Sequence, residues 1–362
     1  MARKPGLQEA ALHLTKIVLD DFPNTEFPLS IVECMNNGVA ANRTLSHPIP
    51  HWRQIVARAC SSVMFGIVLC TVSMASAHAV APGEAVLPEQ KTATLFGATI
   101  RYYEIGSGPV LVLVHGLGSS AKGDWGRIML PLAQTHRVLA LDQLGFGNSD
   151  KPQIDFGIQT WVDFLGEFLR QKQVTDFTLI GESLGGWIAA QYTIQALQGV
   201  AAGPTLTLPK PSRLVLADSA GLYATMKKLF GPPLSGKQAV VGASLAGEKQ
   251  LLASVFVSPS FRTDQALRDG LAWSLSKGDS WTIHAVRNPA LLNETVDNKL
   301  GAITIPTLVI WGRQDALLPL KDGRYFASRI AGAELKIIAD SGHAPMIEAP
   351  DAFLSALLPF LR

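Results

Sequence analysis

Residues 177–187 read FTLIGESLGGW. An apolar run ends at a glycine, two polar residues follow, and after one leucine come two more glycines. FTLI has the composition of a strand buried on both faces, and WIAAQYTIQAL (187–197) has the spacing of a helix. A turn from strand to helix this tight leaves no room for a Cβ at Gly181 or Gly185, which would meet neighbouring backbone. It holds Ser183 strained, with its hydroxyl exposed above the sheet, and the helix N-terminus behind it favours developing negative charge. Gly181-Glu182-Ser183-Leu184-Gly185 fits G-x-S-x-G in the strand–turn–helix context that marks a nucleophile.

Working outward, LVLVHG (111–116), RVLALDQLG (137–145), RLVLADS (213–219), TLVIWG (307–312) and LKIIAD (335–340) are further strands of the same nearly continuous apolar kind. Amphipathic stretches such as WVDFLGEFLRQKQ (161–173) and DAFLSALLPFL (351–361) lie between or after them. Strand–helix alternation implies a mostly parallel sheet covered on both faces. KTATLFGATIRYYEIG (91–106) reads as an antiparallel pair at the sheet's edge. Between about residues 221 and 300 the alternation stops, and Leu251, Leu252, Val255 and Phe256, then Leu271, Trp273 and Leu275, follow helical spacing. That stretch is expected to be a helical insertion.

A serine hydroxyl needs a base. His343, in DSGHAPMIEAP after the last strand, lies where loops at the carboxyl ends of strands gather. The base needs an orienting carboxylate. Asp315, in WGRQDALLP, is the favoured acid, and the order Ser183, Asp315, His343 fits it. Asp218, which ends the preceding strand in VLADSAG, is the alternative. A negative charge developing on a carbonyl oxygen needs donors. The expected ones are the backbone N–H groups of Leu117, in His115-Gly116-Leu117-Gly118, and of Leu184. His115 is then a structural residue of that loop.

Composition narrows the chemistry. The 362 residues carry 31 basic and 29 acidic side chains, a formal net charge of +2, which argues against a nucleic-acid partner. Cys34, Cys60 and Cys70 form no CxxC pair, and no HExxH occurs, so neither a cysteine zinc site nor a zincin centre is expected. Serine-based acyl transfer needs no metal and no organic cofactor. The expected partner is a small-molecule substrate.

Residues 51–79 read as a signal peptide. Arg53 and Arg58 precede an apolar stretch of about ten residues, then two overlapping A-x-A patterns end at Ala77 and Ala79. The stretch is short for a span of about 20 residues. Cleavage near Ala77 or Ala79 would give an exported, periplasmic or secreted protein with no stable membrane span, and an uncleaved anchor is the alternative. Residues 1–50 show no clear period and are expected to form a weakly ordered leader, with a downstream start such as Met35 an option. The mature domain is then 80–362, with a cap at about 221–300.

These motifs, together with DQLGFGNSDKP (142–152), resemble the α/β-hydrolase superfamily, in its cap-bearing branch of esterase-like and C–C-bond hydrolase-like members. The resemblance covers roughly residues 91–362 outside the insertion. It implies an eight-stranded, mostly parallel sheet flanked by helices, with a helical cap over the site. Haloalkane dehalogenases and epoxide hydrolases of this fold place an aspartate at the elbow, and Ser183 sets this chain apart from them. C–C hydrolases of the branch often carry a proline in the oxyanion loop and an aromatic after the base, where this chain has Ser119-Ser120 and Ala344. The expected activity is therefore hydrolysis of a carboxylic ester of a small or medium hydrophobic substrate through an acyl-enzyme on Ser183. A C–C-bond (β-diketone type) hydrolase or a perhydrolase using the same residues is the alternative, and a non-catalytic ligand-binding protein a further one. Leu222, Tyr223, Met226, Leu229, Phe230, Trp273 and Trp281 are candidates for lining an apolar pocket under the cap.

Overall fold

The computed structural model describes residues 86–200, 206–230, 244–277, 279–286 and 288–362. The leader and the signal-like segment lie outside them. Eight strands, β1 (Lys91–Leu95), β2 (Ala98–Ile105), β3 (Val110–Val114), β4 (Arg137–Leu141), β5 (Phe177–Glu182), β6 (Arg213–Ala217), β7 (Thr307–Gly312) and β8 (Glu334–Ile338), form one sheet. Their order is β1-β2-β4-β3-β5-β6-β7-β8. β1 and β2 pair antiparallel through a turn in which Phe96 and Gly97 both have positive φ, the conformation a two-residue hairpin requires. β2 is antiparallel to β4, and every other pair is parallel.

Alternate residues of β3 serve opposite faces. Val112 and Val114 enter one apolar core, Leu111 and Leu113 the other. This two-sided burial is why the strands read as unbroken apolar runs. Helices α1 (Ala121–Trp125), α2 (Met129–Ala133), α3 (Ile158–Gln171) and α4 (Leu184–Gln198) lie between the first six strands. Between β6 and β7 the described residues form α5 (Tyr223–Phe230), α6 (Leu245–Val255), α7 (Asp264–Lys277), α8 (Ser280–Ala285) and three short 3₁₀ turns. Helices α9 (Leu320–Arg329), α10 (Pro345–Glu348) and α11 (Pro350–Leu357) complete the chain.

The chain runs from β3 to β4 on one side, then crosses to β5 on the other. Loops leaving β3 and β5 therefore diverge at their carboxyl ends and open a crevice there. HGLG leaves β3 and Ser183 leaves β5, so both border this crevice.

At the opposite end of the sheet, Glu104 of β2 meets three cations. Arg137 Nη2 lies 2.6 Å away, Lys91 Nζ 3.0 Å and Lys172 Nζ 3.1 Å. Burial alone would raise the Glu104 carboxyl, but hydrogen bonds from Arg137, Lys91 and Lys172 outweigh it and pull it down to about 2. A depressed acid stabilises the fold above its ordinary value and loses that contribution as pH falls toward the folded one. Glu104→Gln is expected to cost about 1–2 kcal/mol at pH 7, after discounting for the exposed lysine. The gap between the two proteins should close between about pH 5 and pH 2. Urea denaturation at a series of pH values measures it.

Candidate active site

Ser183 has φ 52° and ψ −116°, a region ordinary residues avoid. Its backbone is tied on both sides. Its N–H donates to the Ala217 carbonyl (3.0 Å), and its own carbonyl accepts from Ala220 (2.9 Å) and Trp187 (3.1 Å). A Cβ on Gly181 would overlap the Gly185 carbonyl, and one on Gly185 would overlap the carbonyl oxygens of Val114 and His115. Gly185→Ala should therefore cost at least about 3 kcal/mol, because backbone and not a mobile side chain would have to shift. Thermal denaturation and soluble yield would register the loss.

The side chain of Ser183 lies 2.9 Å from His343 Nε2. His343 Nδ1 lies 2.8 Å from Asp315 Oδ2. All three residues are buried. Asp315 Oδ1 accepts the N–H groups of Leu317 and Leu318, both at 2.8 Å, so the carboxylate is pinned by its own turn. The His343 loop is pinned by the insertion. The His343 N–H donates to the carbonyl of Val255 (2.7 Å), the last residue of α6. Glu348 accepts the N–H groups of Val257 and Ser258 on one oxygen and of Gly342 on the other.

Asp218, the alternative acid, sits elsewhere in the cluster. One oxygen accepts the Gly312 N–H at 2.8 Å, the other has no hydrogen-bond partner, and neither bonds His343. Asp218, Asp315 and His343 are the one grouping of three potential metal ligands among the described residues, with donor atoms within 4.8 Å of one another. Asp315 already accepts from two backbone amides and from the imidazole, and Asp218 from the Gly312 amide on one oxygen.

The HGLG loop lies against Ser183. A Cβ on Gly116 would stand 3.1 Å from the Ser183 Cβ. Gly116 donates its N–H to Asp124 Oδ2 (2.7 Å), and Ser119 Oγ donates to the other Asp124 oxygen. His115 Nε2 accepts the Gln143 N–H (2.9 Å), so its proton is on Nδ1 and donates to the Gly116 carbonyl (2.7 Å). His115 is therefore a loop brace, which matches its sequence reading. Leu184 opens α4, so its amide falls in the first turn, where no intrahelical acceptor exists. Leu117 is half-buried in the loop beyond β3. On the outer side, Ile283 of α8 reaches Gly118, and Thr282 Oγ1 donates to the Gly145 carbonyl (2.9 Å). The insertion thus rests directly on the loops that follow β3 and β4.

Glu182 Oε1 lies 3.4 Å from His343 Nε2. The Ser183 hydroxyl is nearer, at 2.9 Å. Complete burial, reinforced by Asp124, Asp218 and Asp315, pushes the Glu182 carboxyl well above the usual range.

Among the pocket candidates, Leu222 and Met226 are buried in the main core, whereas Tyr223, Leu229 and Trp281 are exposed. The sequence reading missed Asp124 and Glu348. Glu348 had a signal, as a carboxylate five residues beyond His343 and just ahead of the apolar helix α11.

Residues 109–350 match the alpha/beta hydrolase fold family. The 2-hydroxymuconate semialdehyde hydrolase of Pseudomonas sp. (strain CF600) is 30% identical over 276 residues, covering 73% of this chain and 91% of the relative. A mutant of the meta-cleavage product hydrolase CumD from Pseudomonas fluorescens IP01 superposes with a TM-score of 0.63 at 23% identity, covering 75% of this chain and 97% of that one. A bacterial membrane phospholipase A superposes with a TM-score of 0.60 at 25% identity, covering 86% and 96%. The sheet order, the glycine-built turn at Ser183 and these matches have one origin: the chain belongs to the α/β-hydrolase fold family.

Proposed function

We propose that this chain is a serine hydrolase that cleaves a carboxylic ester of a small or medium hydrophobic substrate. The observation that carries the reading is the unbroken path from Ser183 Oγ through His343 to Asp315, at 2.9 and 2.8 Å. His343 Nε2 takes the proton of Ser183 as its oxygen attacks the carbonyl carbon. The Leu117 and Leu184 amides hold the resulting oxyanion. Collapse of the tetrahedral intermediate expels the alkoxide, which leaves with the proton from His343. Water, deprotonated by the same imidazole, then attacks the acyl-enzyme, and Ser183 recovers its proton. Asp315 keeps the imidazole in the tautomer that accepts from Ser183 and stabilises the imidazolium.

A second reading, C–C-bond hydrolysis, has support from the 30% identity to a 2-hydroxymuconate semialdehyde hydrolase. The same attack would open a carbon–carbon bond if the leaving carbanion could be protonated. Ser119-Ser120 after the HGLG loop and Ala344 after His343, where C–C hydrolases often have a proline and an aromatic, support the ester reading. The phospholipase among the structural neighbours acts on esters by its name, in line with that preference.

The test is an assay of the purified chain on p-nitrophenyl esters of increasing acyl length, beside a vinylogous diketone. Turnover of the esters with a clear preference for one chain length is expected. Turnover of the diketone alone would replace the first reading by the second. The proposed enzyme is exported, cut near Ala77 or Ala79, and N-terminal sequencing of protein recovered from outside the cytoplasm checks this. An N-terminus upstream of residue 51 would refute it.

A further inference from the structure

Asp218 is a buried carboxyl that the proposed mechanism leaves without a task. It is fully buried at the end of β6 and has φ 41°, a left-handed conformation that aspartate tolerates better than most residues but still adopts at a cost. Its Oδ1 accepts one N–H, from Gly312, and its Oδ2 accepts none. Asp218, Asp315 and His343 bring their oxygen and nitrogen atoms within 4.8 Å of one another. Two carboxylates this close in a buried site resist ionising together. Counting donors decides which one holds the proton. Asp315 accepts three hydrogen bonds, from Leu317, Leu318 and the imidazole, whereas Asp218 accepts one. The charge therefore sits on Asp315, and Asp315 Oδ2, which takes only the bond from His343, keeps a lone pair free.

The groups around Asp218 agree. Asp315 faces it from the loop after β7, Glu348 from α10 and Glu182 from the end of β5, so apart from His343 the titratable groups named around it are acids. Burial first, then Asp315, pushes the Asp218 carboxyl well above the usual range.

We propose that Asp218 is a positioning residue which, as a neutral acid, donates its proton to Asp315 Oδ2 and so fixes the carboxylate that orients His343. The inference rests on the reading of Ser183, His343 and Asp315 as the reacting set. It explains why acids end both neighbouring strands: one carries the charge and the other carries a proton for it.

Asparagine at position 218 can imitate the neutral acid. Its oxygen accepts from Gly312, its NH₂ donates to Asp315, and it tolerates the left-handed backbone. Glycine also suits that backbone but deletes the donor. In the full chain, Asp218→Asn is expected to keep kcat within about three-fold of wild type, while Asp218→Gly loses at least about ten-fold in kcat with KM little changed. A loss in Asp218→Asn as deep as that of Asp315→Asn would overturn the proposal, and so would an Asp218→Gly enzyme as fast as wild type. Infrared difference spectra of protein labelled with carboxyl-¹³C aspartate give a readout that needs no substrate. A protonated aspartic acid band is expected at neutral pH, absent from Asp218→Asn. No such band in wild type would refute the shared proton even if the esterase reading held. A band present in a protein inactive on every carbonyl substrate would leave the proton in place and remove the esterase reading alone.

Discussion

Ser183→Ala is expected to lower kcat/KM on the preferred p-nitrophenyl ester by about 10⁴- to 10⁶-fold. The size follows from what is removed. Without Oγ no acyl-enzyme forms, and His343 has no hydroxyl to activate. Catalysis is not expected to fall to the rate in water, because the proposed oxyanion donors, the Leu117 and Leu184 amides, would still stabilise a tetrahedral intermediate formed by attack of water. Stability should change little. Alanine keeps the same backbone ties to Ala217, Ala220 and Trp187, and only the 2.9 Å bond to His343 is lost. Two measurements check the prediction together: steady-state kinetics, and the mass of the protein after reaction with an activated organophosphonate. Wild type should gain one phosphonyl group on Ser183 and the variant none. Equal rates in the two proteins would show that Ser183 is not the nucleophile.

The elbow was legible from sequence because its cause is local. Three glycines are required within six residues, and a strand and a helix on either side supply the confirming context. The two-faced burial of the central strands was legible for the same reason, since an unbroken apolar run is the direct consequence of a core on each side. The choice between Asp218 and Asp315 was a different problem. Both acids end neighbouring strands, and which one meets Nδ1 depends on how the turn after β7 folds back. The Leu317 and Leu318 amides fix that turn, and a linear pattern does not reveal it. Helix α9 was missed because Gly323 interrupts its apolar face. That glycine is required by packing, as a Cβ there would press on the ring of Trp311. In the insertion, Leu251 and Leu275 fell at helical spacing yet are exposed. A helix that lies over the body buries only part of its apolar stripe, so spacing there announces a helix without announcing what the stripe touches.

Asp315→Asn is expected to lower kcat by about 10⁴-fold with little change in KM. The turn at Asp315 dictates the reason. Two backbone N–H groups point at the Oδ1 position, so the asparagine must place its oxygen there, because an NH₂ would set donors against donors. Its NH₂ is then forced into the Oδ2 position, facing His343 Nδ1 at 2.8 Å. Nδ1 must become the acceptor, and the imidazole proton moves to Nε2. Nε2–H then points at the Ser183 oxygen and cannot take its proton. The side chains stay in place while the proton sits on the wrong nitrogen. Since Asp315→Asn leaves the volume and the two amide bonds intact, unfolding is not expected to account for the loss. Nitrogen NMR of ¹⁵N-histidine should report a protonated Nε2 in the variant and a protonated Nδ1 in wild type at a pH where the ring is neutral. A variant within ten-fold of wild type, with its proton still on Nδ1, would move the orienting role to the one other carboxyl in the cluster, Asp218.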